Sequence, residues 1–108
     1  MAGLPDKVHI GPFTYNINYE WPEEEAERKR AWGLIHKLTF DIDIMEGMAP
    51  KRQVEVTMHE IFHGMWDAAG LGEPVDEETA VSALAIQMIQ VMKNNPELIR
   101  AMLRELQK

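Results

Sequence analysis

A chain of 108 residues, 45% apolar and 27% charged, has the make-up of one globular domain with one modest core rather than of a disordered or fibrous protein. It has no cysteine, which excludes a disulfide framework and every thiolate metal site, so any metal must be held by His, Asp or Glu. Eighteen acidic against eleven basic residues give a formal charge of −7 with no basic stripe, which argues against a nucleic-acid partner.

No run approaches the ~18 apolar residues of a membrane span, and the first residues carry no apolar leader core; a cytoplasmic protein with no membrane partner is expected. Residues 8–10, a turn at Gly11-Pro12 and residues 13–19 read as a β-hairpin, because Phe13, Tyr15, Ile17 and Tyr19 alternate with Thr14, Asn16 and Asn18. Trp21-Pro22 closes that arm. The block 23–30, acidic first and basic after, reads as an exposed connection, though its charge order also suits a solvated helical turn.

Residues 32–45 read as one long strand or two short ones. In the last part Leu38, Phe40, Ile42 and Ile44 are expected on one side, with Thr39, Asp41, Asp43 and Met45 on the other. Such a strand can offer its edge to an extended peptide, which would bring Asp41 and Asp43 near a substrate. The plainer expectation is an edge kept soluble by its charges, with His36 structural. Gly47 and Pro50 then break the chain.

The second half reads as helices at about 51–69, 76–94 and 96–107. Val54, Met58, Ile61, Phe62, Met65 and Trp66 recur at helical spacing, and Gly70 and Gly72 are natural stops. Asp76 is the expected N-cap of the second helix. The apolar face of that helix, Val81, Leu84, Ala85, Met88, Val91 and Met92, is wide enough to be mostly buried. Asn95-Pro96 supplies a cap and an N1 proline for the third. Strands first and helices after predict a single α+β domain over 1–108: a small antiparallel or mixed sheet packed on two to three helices.

The segment carrying chemistry is His59-Glu60-Ile61-Phe62-His63, an HExxH pattern inside the first of these helices. Residues four apart share a helical face one turn apart, so both imidazoles can reach one ion, and Glu60 follows the first His where a carboxylate can hold water. Neutral imidazole suits Zn²⁺, and a catalytic zinc keeps three protein ligands. For the third, the acidic run Asp76-Glu77-Glu78 opens the next helix. Glu78 aligns with the Val81–Ala85–Met88–Met92 stripe and is preferred to Glu77, although acids are favoured in a first turn with no metal at all.

The stretches HEIFHGMWDAAGL, DEETAVSALA and KNNPEL resemble the small zincin-like metallopeptidases encoded by phages and prophages, which are relatives in motif of the repressor-cleaving metallopeptidases. The resemblance runs from residue 32 to the C-terminus and includes the spacing of Glu78, Val81, Leu84 and Ala85. It implies a minimal zincin-like fold and a gluzincin-type Zn²⁺ site with His59, His63 and Glu78 as ligands and Glu60 as general base. It also implies a peptide or protein substrate and the cytoplasm of a bacterial host. The chain shows no His or Tyr downstream of Glu78 to serve the transition state. A second expectation is therefore a zincin-like accessory or binding protein whose zinc is structural or absent.

Overall fold

In the computed structural model, which describes residues 3–72 and 75–108, the hairpin forms where the alternation placed it. Strands β1 (Lys7–Ile10) and β2 (Phe13–Trp21) pair antiparallel about Gly11, whose φ of 58° suits the glycine in that turn. Val8, Ile10, Tyr15 and Ile17 point inward and are buried, while His9, Thr14, Asn16 and Asn18 face solvent.

The charged block is a helix, α1 (Glu23–Lys29). Glu23, Glu24 and Glu25 stand in its first turn and Arg28 and Lys29 in its last, so the side chains oppose the macrodipole at both ends. The Trp21 indole N–H donates to Glu25 at 3.1 Å and ties the helix to the end of β2.

Two short strands follow, β3 (Gly33–His36) and β4 (Asp41–Met45), joined by a turn at 37–40. The alternation expected from Leu38 onward therefore begins only at Asp41. Ile42 and Ile44 are buried as expected, but Leu38 is 97% exposed at the turn and Phe40 has a left-handed φ of 60°. That backbone lets the Phe40 ring stack on Phe13, with centroids 4.7 Å apart, and meet Tyr15 edge-on at 5.5 Å. Aromatic packing offsets the strain of the left-handed residue.

The sheet is mixed, in the order β1-β2-β4-β3. β4 runs parallel to β2, with Ile17 opposite Ile42, and antiparallel to β3. β4 is thus an interior strand, and the two edge strands are β1 and β3. The expectation that residues 38–45 form the edge is corrected by this pairing, because α1 and β3 carry the chain across before β4 inserts beside β2.

One face of the sheet is covered by α2 (Pro50–Ala68), α3 (Glu77–Asn94) and α4 (Pro96–Leu106). Ile61 and Met65 of α2, Val91 of α3 and Leu98, Ala101 and Met102 of α4 complete the core. Gly64 sits where α2 presses on the sheet: a Cβ there would come within 2.8 Å of Ile10 Cδ1 and 3.3 Å of Ile35 Cδ1. The domain is α+β, with a four-stranded mixed sheet and four helices among the described residues. None of those helices is long and apolar enough to cross a membrane.

Helix α3 starts as expected: the Asp76 carboxylate accepts from the Thr79 N–H at 2.9 Å and from its hydroxyl at 2.6 Å. Its burial does not follow the expectation. Within α3 Val91 alone is buried, whereas Val81, Ile86, Ile89 and Met92 are 49–66% exposed. The helix has two apolar sides, and the core takes the one carrying Leu84, Met88 and Val91. The Val81–Ala85–Met92 side therefore faces out.

Between α3 and α4 the buried Asn95 acts as a polar staple. Its Oδ1 accepts from the His9 N–H at 2.7 Å, and its Nδ2 donates to His9 O at 2.8 Å and Val91 O at 2.9 Å. The side-chain amide thus satisfies β1 as a neighbouring strand would. Asn95→Ala is expected to destabilise the fold by about 2–3 kcal/mol, because it leaves the His9 amide unpaired; denaturant unfolding measures this.

Candidate metal centre

The HExxH segment occupies the middle of α2, as its spacing requires. One helical turn brings His59 and His63 together: their Nε2 atoms are 3.2 Å apart, the rings being 4.8 Å apart between centroids and inclined at 72°. Two nitrogen ligands of a tetrahedral zinc at ~2.05 Å are separated by about 3.3 Å, so the pair already has the spacing of one edge of that tetrahedron. Both imidazoles are exposed and open to an ion from solvent.

Glu60 is buried between α2 and β3, at 5% exposure. Burial pushes its carboxyl above the usual carboxylate range, while the His63 and His59 imidazoles pull it back. A carboxylate made more basic by its surroundings is suited to taking a proton. Gly33 makes room for it: a Cβ at that position would stand 3.0 Å from Glu60 Oε2 and 2.8 Å from Val56 Cγ1. The bare backbone of the open strand therefore lies directly against the acid.

Trp32, Gly33, Glu55, Val56, His59 and Glu60 line a small cavity of about 260 Å³ beside β3. The Arg52 guanidinium lies 5.0 Å over the Trp32 ring at its rim. On the other side of His59 a wider groove of about 600 Å³ runs between the helices, walled by Met58, Phe62, Met88, Met92, Met102 and Leu103. Methionines from α2, α3 and α4 thus line a surface.

The remaining candidates lie elsewhere. Glu78 and Glu77 are exposed in the first turn of α3, and among the described residues no three His, Asp or Glu side chains are gathered so as to hold a metal. The preference for Glu78 assumed that the Val81–Ala85–Met88–Met92 stripe faces inward; Met88 packs against the core, but Val81, Ala85 and Met92 are exposed. The structure brings together His59, His63 and Glu60, and does not bring Glu78 to them. His36 is on the opposite face of the sheet, where its Nε2 meets Asp43 Oδ2 at 2.9 Å. Asp43 also accepts from Asn18 Nδ2 at 3.2 Å, so this pair ties three strands together. Asp41 and Asp43 are accordingly remote from the histidine pair.

Gly33 is the site residue that sequence reasoning missed. The only signal for it was a glycine inside a strand, which marks close approach by another group. Gly33→Val is expected to cost about 1–3 kcal/mol and to displace the Glu60 carboxylate. Gly72→Ala, with no atom of the described residues within 4 Å of the added carbon, is expected to stay within ~0.5 kcal/mol of the parent in a urea titration.

Comparison with protein-family models, curated proteins and solved structures finds no match to this chain.

Proposed function

We propose that the protein is a small zinc-dependent metallopeptidase that hydrolyses peptide bonds in extended segments of a peptide or protein. The observation that carries the reading is the convergence of His59 and His63 at 3.2 Å, with the buried Glu60 beside them against an open strand. His59 and His63 would hold the ion. When bound, zinc acidifies a water molecule and polarises a carbonyl. Glu60 takes a proton from water as the carbonyl is attacked and returns it to the departing amine. The open side of β3 offers main-chain groups that can align a peptide by adding it to the sheet. Trp32 and Val56 narrow the approach and shield the carboxylate from bulk water. The phage and prophage metallopeptidases with the same motif, acting in a bacterial cytoplasm, are the class this reading joins.

One observation favours a second reading. Two ligands rather than three are gathered among the described residues, and a zincin-like accessory protein that binds a partner needs no more than that. A proteome-derived peptide library separates the two. Under the first reading the protein generates new N-termini, 1,10-phenanthroline abolishes them, and added Zn²⁺ restores them. Absence of any metal-dependent cleavage, with partner binding retained, would overturn the peptidase reading in favour of the second.

A further inference from the structure

The outer side of α3 calls for its own account. Eight residues lie on one exposed arc of this helix: Glu78, Val81, Ser82, Ala85, Ile86, Ile89, Met92 and Lys93. They recur at three- and four-residue intervals, as one helical face must. Five are apolar, with Ile89 at 66% and Ile86 at 59% exposure. A surface helix of a monomer carries its polar residues on the side away from the core, and an apolar stripe there marks a contact surface. The only charges on the arc are Glu78 near its start and Lys93 near its end.

Those two charges are symmetrically placed. Glu78 and Lys93 lie equally far from the midpoint between Ala85 and Ile86. A second identical helix laid antiparallel about that midpoint sets Glu78 of each chain opposite Lys93 of the other. It also sets Ser82 opposite Ile89, and Ala85 opposite Ile86. Small residues thus face large ones along a seam of about 22 Å, allowing close helix approach. A parallel arrangement would set Glu78 against Glu78 and Lys93 against Lys93. Few partners other than a second copy would match a face whose charges and sizes complement themselves under a two-fold axis.

We infer that α3 is the contact of a symmetric homodimer, in which two copies pair their α3 helices antiparallel about the Ala85–Ile86 midpoint, with reciprocal Glu78–Lys93 ion pairs. The contact buries the Ile86, Ile89 and Met92 side chains that the monomer leaves in water. It lies on the side of α3 opposite Leu84 and Val91 and so leaves the sheet packing undisturbed. The inference is independent of zinc and of hydrolysis.

Sedimentation velocity over a concentration series tests it, with circular dichroism confirming that each variant keeps its helices. The parent chain is expected to dimerise. Ile89→Glu, which sets a carboxylate in the seam, is expected to weaken association at least ~100-fold. Lys93→Glu and Glu78→Lys are each expected to weaken it about tenfold, and the double reversal, which restores both pairs with the signs exchanged, to recover it to within ~3-fold. A parent chain that stays monomeric at the highest reachable concentration overturns the proposal. A dimer indifferent to Ile89→Glu overturns it too, by placing the contact elsewhere. Sensitivity to Ile89→Glu without recovery in the double reversal overturns the antiparallel register.

Discussion

Glu60→Gln is expected to lower the turnover of any peptide the protein cleaves by at least ~10³-fold, while leaving the fold and the zinc content intact. Gln has nearly the same shape as Glu and fits the space that Gly33 leaves beside Val56, so the packing of α2 on β3 survives the change. What is lost is a proton acceptor. The amide cannot take a proton from water or return one to the leaving amine, and Glu55, the other carboxylate lining the cavity with His59, is exposed and paired with Arg52. Replacing a buried carboxylate by a neutral amide also removes the cost of holding a charge at 5% exposure, so the variant is expected to melt no lower than its parent at neutral pH. Rates on a cleaved peptide, metal analysis and a thermal melt measure the three parts. A variant that cleaves at the parent rate shows that Glu60 is not the base.

His59→Ala or His63→Ala is expected to weaken zinc binding by at least ~100-fold, since each removes one of two convergent nitrogens and a single imidazole holds the ion poorly. The parent is expected to gain thermal stability with added Zn²⁺, as any ligand confined to the native state must confer, and both variants are expected to gain little. Competition titration with a chelating dye gives the affinities. Glu77→Ala and Glu78→Ala belong in the same series. The outward position of the α3 first turn predicts changes of no more than about threefold for either. A loss in Glu78→Ala equal to that in His59→Ala would instead show that this turn folds onto the pair when zinc binds, and would take Glu78 away from the helix–helix seam.

The parts of this fold that were legible in the sequence are those set by local chemistry. The alternation from Phe13 to Tyr19, the Asp76 cap and the N1 position of Pro96 each depend on neighbours within a few residues, and each formed as read, whereas the Asn95 side chain, expected to cap α4, reaches His9 of β1 instead. The HExxH spacing likewise fixes the His59–His63 distance through one turn of helix. What the sequence concealed depends on the whole chain. That β4 runs parallel to β2, leaving β3 rather than β4 at that edge of the sheet, is a matter of topology that no period of two records. The apolar stretch of α3 could not say which of two apolar sides meets the core, and this determined where Glu78 points. Leu38 and Phe40 continued the alternation on paper, but a left-handed residue at 40 ended it. The block at 23–30 offered no apolar face, and its helix rests on dipole compensation and one buried alanine, Ala26.

The −7 charge of a cysteine-free chain acquires a more local meaning beside this geometry. Glu60 is one of the acids and is held where a dication would compensate it, while Glu78 is held on an outer face where a lysine of a second copy would. The most direct test of the central claim is metal analysis by mass spectrometry on protein purified without added zinc. The convergent histidine pair predicts close to one zinc per chain, lost in His59→Ala and His63→Ala and kept in Glu60→Gln. Protein that carries no zinc, takes up none on titration and melts at the same temperature with and without chelator would contradict it.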